Sequence, residues 1–188
     1  YIEDGYFRRR TSLGRSYILF SGDITYSNMG LFNSGLNFTT YEFSTRAFLR
    51  TFKSASLNLN LYARVNDGTT PYQDLYSLPG NIDVVFNSQT FRTLNINEIV
   101  GDKIFALNIT HDFRDELFRM MNIPGLKRWE IMFSLIFNAA LSDITPETSA
   151  ILTNPVKLFK HPFYELGFGV GQGLLPFKLE FMWKLNYR

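Results

Sequence analysis

The chain has 188 residues, of which 45% are hydrophobic, 16% aromatic and only 19% charged, with a net charge of +2. That length suits one domain or a piece of a larger one and leaves no room for a multidomain enzyme, and the apolar content excludes a disordered chain. The small net charge lacks the basic face of an electrostatic nucleic-acid binder, and the absence of cysteine excludes a disulfide scaffold, a thiolate metal site and a cysteine nucleophile.

No run approaches the roughly 18 consecutive apolar residues of a membrane-spanning helix, and the first residues have no signal-peptide layout. Mean hydropathy is -0.08. That value fits a soluble domain, and equally a transmembrane barrel whose apolar residues occupy every second position.

Taken in chain order, the elements are strands. Ile18, Phe20, Ile24 and Tyr26 mark the first. Residues 41–50 set Tyr41, Phe43, Thr45, Ala47 and Leu49 against Glu42, Ser44, Arg46, Phe48 and Arg50. A tight link over 51–55 leads to 56–65, where Leu57, Leu59, Leu61, Ala63 and Val65 oppose Ser56, Asn58, Asn60, Tyr62 and Arg64. A long loop, 66–102, follows, and then a strand over 103–113 with Phe105, Leu107 and Ile109 on one side. Residues 115–121 suit a helical turn or two. Strands over 129–141 and 164–170 flank a second long loop, 142–162. After a tight turn at 172–174, residues 175–188 alternate throughout: Leu175, Phe177, Leu179, Phe181, Trp183, Leu185 and Tyr187 against Lys178, Glu180, Met182, Lys184, Asn186 and Arg188. A period of two is a strand with one apolar face, because a helix would mix the two sets on every side.

These segments run to about ten residues, the ~9–11 that cross a bilayer, and short links alternate with long ones as in outer-membrane barrels. The expected fold is therefore all-β: an antiparallel transmembrane β-barrel, with about seven to eight strands within the single segment 1–188. A lipocalin-like soluble barrel would give the same alternation with its apolar face inward. Lipid outside is favoured by uncharged apolar faces, by aromatic residues near strand ends (Tyr41, Trp129, Tyr164, Trp183, Tyr187), and by a polar opposite face.

The order Pro71-Tyr72, Leu78-Pro79-Gly80-Asn81, Phe91 with Leu94-Asn95, Asn97-Glu98-Ile99-Val100-Gly101-Asp102-Lys103, Ile123-Pro124 with Lys127-Arg128, Pro162-Phe163-Tyr164-Glu165-Leu166-Gly167-Phe168-Gly169 and the alternating run 177–188 resembles one known group. It is similar to the barrel of a bacterial outer-membrane family of unknown function, whose members carry a carboxypeptidase-regulatory-like N-terminal domain. That family is similar in turn to the sixteen-stranded BamA-type (surface antigen) superfamily. The resemblance covers roughly 56–188 and implies that this chain is the C-terminal half of such a barrel. It also implies that loop 66–102 is extracellular and folds toward the lumen. The superfamily's Arg-Gly loop motif is not visible here, so its role is not carried over. Either a further strand follows Arg188, or 175–188 is itself the closing strand.

Candidate chemistry is sparse. His111 and His161 show no ligand spacing for a metal, and Ser134 with His111 lacks an activated-nucleophile signature, so no catalytic, metal or cofactor residue is assigned. Glu42, Arg46 and Arg50, with Glu165, Lys178, Glu180 and Lys184, form a lumen-facing charge set; it sets pore selectivity, holds a plug loop, or is an internal ion-pair ladder. Asn97, Glu98, Asp102 and Lys103 are candidates for anchoring the long loop, or else ordinary solvated turn residues. The expected partners are outer-membrane lipid, the remaining strands of the barrel, and other outer-membrane or periplasmic proteins in a complex, with no nucleic acid. The functional expectation, drawn from the resemblance, is assembly, insertion or export of outer-membrane or surface proteins in the bacterial outer membrane. The alternatives are a passive channel, or a structural eight-stranded barrel that needs one more strand near residues 6–13.

Overall fold

The computed structural model describes residues 2–4, 7–9, 16–30, 35–81, 90–122, 129–152, 161–172 and 177–186. Seven long strands form one antiparallel sheet: β3 (Tyr17–Ser27), β4 (Phe38–Arg50), β5 (Ser56–Gly68), β8 (Lys103–Arg114), β9 (Ile131–Asp143), β10 (Phe163–Gln172) and β11 (Lys178–Lys184). Each pairs with its neighbour in that order. Two small antiparallel pairs form separate two-stranded sheets: β1 (Ile2–Asp4) with β2 (Phe7–Arg9), and β6 (Tyr76–Ser77) with β7 (Val100–Gly101).

The strands follow the alternation, and their ends move. β4 starts at Phe38 rather than Tyr41, and β5 runs to Gly68, so the first long loop begins at 69 rather than 66. Gly68 ends the strand with φ +98, where a Cβ would lie 2.5 Å from the Asn37 carbonyl oxygen, so the chain can leave the sheet there only through glycine. β9 is shifted two residues along, which puts Trp129 in the turn before it. β11 is shorter than its alternating pattern. Residues 173–176 and 187–188, and with them Tyr187, lie outside the described residues. Among the described residues two short α-helices form, α1 (Glu116–Met120), where the sequence suits one or two turns, and α2 (Pro146–Ile151) inside the second long loop, where it suggests none, together with a 3-10 turn at Tyr72–Asp74.

The registers carry the apolar set of every strand onto one face. Ile24 lies opposite Tyr41, Tyr41 opposite Val65, Leu61 opposite Leu107, Ile109 opposite Phe137, Phe137 opposite Leu166, and Leu166 opposite Trp183. A single-residue slip at any pairing would invert the remaining strands, so the common face is strongly specified. Cross-strand rings reinforce it, with Phe20–Phe43 at 6.3 Å, Phe133–Phe168 at 6.0 Å and Phe168–Phe181 at 5.2 Å between centroids. This face is open: Phe20 is 69% exposed, Ile24 73% and Leu179 68%.

The buried core lies on the other side. There the long loop places Leu78, Phe91, Leu94 and Ile99 onto Ile104, Ala106, Ala140 and Phe163 of the sheet. Each large side chain so buried contributes about 1.5–3 kcal/mol. At Gly80 a Cβ would sit 2.3 Å from the Asn95 carbonyl oxygen, so the two arms of the loop meet there backbone to backbone.

Candidate functional site: a loop latched to the polar face

The face opposite the apolar one carries a row of polar side chains in direct register: Arg46, Asn60, Asn108, Asn138, Glu165 and Lys184 on six consecutive strands. A cation stands at each end and a carboxylate within it. Glu165 is fully buried. β10 also presents Phe163, Gly167, Gly169 and Gly171 to this face; the Met182 and Lys178 side chains of β11 lie over Gly167 and Gly169, and another segment covers the Phe163–Glu165 end.

That segment is the first long loop, and Glu165 receives it. Its carboxylate accepts hydrogen bonds from the backbone N–H of Arg92 and of Thr93, both at 3.0 Å, and from the Thr93 hydroxyl at 2.6 Å. Asn138 Nδ2 donates to the same carboxylate from the neighbouring strand. Four donors around one buried carboxylate offset its desolvation, which would otherwise be prohibitive. The Arg92 guanidinium turns to Glu180 at 3.0 Å, with both side chains 7% exposed, and its Nη1 donates to the Thr90 carbonyl. Lys178 reaches the other Glu180 oxygen at 3.4 Å. Further along, Lys184 pairs with Glu98 at 3.5 Å, while Glu98 also accepts from the Asn95 N–H.

A second network ties the two long loops together at the same end of the sheet. The buried Asp102 carboxylate accepts from the Thr145 N–H and hydroxyl, the Thr148 hydroxyl donates to the Thr145 hydroxyl oxygen, the Thr70 N–H donates to Thr148, and Asn66 donates to Thr70. At the opposite end, Glu116 of α1 accepts from the backbone N–H groups of Lys53, Ser54 and Ala55 in the tight β4–β5 turn. The Ser54 N–H foremost, opposed by desolvation and helped by the N–H groups of Lys53 and Ala55 and the Ser54 hydroxyl, holds this carboxyl below its ordinary value of 4.5.

The charge set of the sequence thus divides. Glu165, Glu180, Lys178 and Lys184 meet at the loop contact. Glu42 pairs instead with Arg64 at 3.1 Å, beside the stacked rings of Tyr62 and Tyr76, 4.5 Å apart. Burial, then Glu42, raises the Tyr76 hydroxyl above its ordinary 10.0, with Arg64 opposing. Arg46 lines a cavity of about 200 Å³ together with Asn60, Asn108, Tyr76 and Phe91. Arg50 sits at the strand end, its N–H bonded to Ser16. Of the loop-anchor candidates, Glu98 contacts a sheet cation and Asp102 binds the second loop rather than a lumen charge. Asn97 is an exposed turn residue with φ 55. Lys103 is exposed and pairs in register with Val65 and Asp143, on the apolar side of the sheet. Tyr41, Tyr164 and Trp183 lie on the apolar face toward the loop-bearing end, and Trp129 lies at the other end.

Arg92, Thr93 and Asn138 were not anticipated. Their signal in the sequence is the single carboxylate, Glu165, followed on its strand face by Gly167, Gly169 and Gly171, together with an aromatic-basic pair, Phe91-Arg92, inside the long loop. Ser134 and His111 occupy opposite faces, since Ser134 pairs with Asp112 and His111 with Leu135. His111 shares a hydrogen bond with Thr51. Among the described residues, no group of three or more His, Cys, Asp or Glu side chains gathers as a metal site, and no helix is long and apolar enough to cross a membrane. No family model matches the chain, and no curated protein or solved structure matches it significantly.

Proposed function

We propose that this chain is part of the wall of a bacterial outer-membrane β-barrel of BamA-like type, with its first long loop folded into the lumen, and that it acts in assembly, insertion or export of outer-membrane or surface proteins. One observation carries the barrel reading: the sheet exposes its apolar face and buries charge on its polar face beneath a loop. A lipocalin-like barrel has the reverse need, a filled apolar interior and a solvated polar exterior. An apolar surface spread over seven strands exceeds the few hundred Å² that soluble monomers leave open, and lipid is the solvent that suits it. In the large sheet β3, β4, β5, β8, β9 and β10, of 10 to 13 residues each, are long enough to cross at the usual tilt. The assembly role is drawn from the family resemblance, with lipid, the remaining strands and other outer-membrane or periplasmic proteins as partners, and no nucleic acid.

A passive channel is the second reading. The polar row from Arg46 to Lys184 favours it, and the loop seated over that row opposes a standing open path. Depletion of the full-length protein separates the two. Falling levels of other outer-membrane proteins support assembly, and unchanged levels reject it. Steady ion conductance by the purified full-length barrel, with Glu165 and Arg92 intact, would put the channel first.

A further inference from the structure

Between the long loop and the polar face the contact encloses a cavity of about 200 Å³. Sheet and loop each build part of its wall. β4, β5 and β8 contribute Arg46, Asn60 and Asn108, which stand side by side in register. The loop contributes Tyr76, Leu78 and Phe91, with Tyr76 stacked on Tyr62 of β5 at 4.5 Å between ring centroids. We propose that this cavity binds a small carboxylate carried on a flat apolar body of about one ring, and that the occupied site holds the loop to the sheet. Binding here requires only the loop seated on the polar face, so it is independent of which solvent meets the apolar face.

Size, shape and charge each narrow the occupant. An apolar cavity of about 150 Å³ admits one benzene ring, so about 200 Å³ admits a ring with a small substituent. The stacked tyrosines, Leu78 and Phe91 offer that ring planar and apolar surface. The charge comes from the other wall. Among the described residues the lining carries one cation, Arg46, and no carboxylate, and a guanidinium grips a carboxylate through two parallel N–H···O bonds. Beside it in the same row, Asn108 is 5% exposed, and its Nδ2 is buried without a hydrogen-bond partner. The last torsion of asparagine is broad, so the amide turns to give this N–H to an acceptor in the cavity. A carboxylate lying over the row from Arg46 to Asn108 therefore meets both a charge and an unmatched donor, while its ring rests under the loop.

An occupant placed in this way touches strands and loop at once. It binds the docked loop and not the lifted one, so occupation shifts the loop toward the sheet by mass action.

The test uses the purified full-length protein in lipid nanodiscs, with 4-fluorobenzoate as the probe and fluorine NMR to follow it. A ligand of about ten heavy atoms at the low end of ligand efficiency binds with a Kd of about 6 mM or tighter, so saturation within about 20 mM is expected. The neutral 4-fluorobenzamide should bind about 10- to 150-fold more weakly, and Arg46→Gln should weaken 4-fluorobenzoate by the same factor. Arg50→Gln, which removes a cation from the same face of β4 outside the cavity lining, should bind as the parent does. Ala106→Leu, which fills the cavity from the sheet side, should abolish binding. Ile104→Cys, at a position 3% exposed under the loop but outside the cavity lining, reports the hold on the loop. With any cysteine outside residues 1–188 replaced by serine, its labelling by a water-soluble maleimide should slow about 11-fold at ten times Kd. Equal binding of the two probes, full competition by inorganic phosphate, or unchanged binding in Arg46→Gln overturns the ligand class. Binding without slower labelling overturns the hold on the loop. No saturation by about 20 mM overturns the site: slow labelling of unliganded Ile104→Cys then leaves the loop contact standing, whereas fast labelling rejects the loop contact as well.

Discussion

Replacing Glu165 by glutamine should release the loop from the sheet while leaving the sheet in place. Glutamine keeps the shape, removes the charge, and turns one acceptor oxygen into a donor. Arg92 N–H, Thr93 N–H, the Thr93 hydroxyl and Asn138 Nδ2 all donate to this carboxylate. At least one of them must then face a donor. Hydrogen bonds to a charged group contribute about 1.5–3 kcal/mol each, and a buried donor left without an acceptor costs about 1–3 kcal/mol. Losing one such bond and stranding one donor amounts to roughly 2.5–6 kcal/mol against the docked loop. At about 1.4 kcal/mol per decade, that lowers the ratio of docked to undocked loop by about 60- to 20,000-fold. The apolar contacts of Phe91, Leu94, Leu78 and Ile99 remain, so the loop samples release rather than departing. The assay uses the natural absence of cysteine. A cysteine at Ala106, 5% exposed beneath the loop, reacts with a water-soluble maleimide only when the loop lifts. Its labelling rate in the E165Q background should rise by that factor. A rise below about threefold, with heat-modifiable barrel migration intact, would refute the latch.

Other outcomes follow from the same geometry. Phe91→Ala removes a fully buried ring from the loop core and should cost about 3–5 kcal/mol, read in the same labelling assay as faster reaction at Ala106→Cys. Gly68→Ala should destabilise by about 1–3 kcal/mol through the strained φ and the clash with Asn37, lowering the denaturation midpoint. Glu116 has a lowered folded-state value, so its hold on the β4–β5 turn is complete above its ordinary value of 4.5 and is lost as pH falls through the lower folded one. Amide exchange at Ser54 and Ala55, corrected for intrinsic rate, should therefore accelerate below about pH 4.5, and Glu116→Gln should exchange fast at every pH. In β5, Leu61→Arg should impair insertion by about 2–4 kcal/mol near mid-strand, while Asn60→Arg one residue away should be tolerated; equal effects on folded yield would contradict the assignment of faces.

The strands were legible because each repeats every second residue over ten or more positions, and register then follows from keeping one face common. Their ends were not, because Phe38, Thr39 and Thr40 alternate too weakly to announce the start of β4, and only pairing with Thr25, Tyr26 and Ser27 of β3 and with Asn66, Asp67 and Gly68 of β5 defines it. The two-residue strands β6 and β7 were invisible, since a pair that short exists only through tertiary contact. α2, with Pro146 in its first turn and Thr145 before it, did carry a start signal, but its six residues are too short for a periodic one. The charge set was found as a set, and its division was not. Whether Glu42 meets Arg64 or a loop cation depends on which residues the loop delivers, and the alternation of β4 contains nothing about Arg92. Asp102 shows the same limit, because its partner Thr145, and Thr148 bonded to that, lie in the other long loop.

The central claim is that the apolar face of this sheet meets lipid and the polar face lines a loop-filled lumen. Spin labels placed singly at each position from 57 to 65 of the full-length protein in bilayers test it directly, by collision with oxygen, which concentrates in lipid, and with a water-soluble nickel complex. The account predicts high oxygen and low nickel accessibility at 57, 59, 61, 63 and 65, with low values for both under the loop at 60 and 62. Nickel accessibility at the even positions together with protection from both reagents at the odd ones would mean that the apolar face is the inside, and would contradict it.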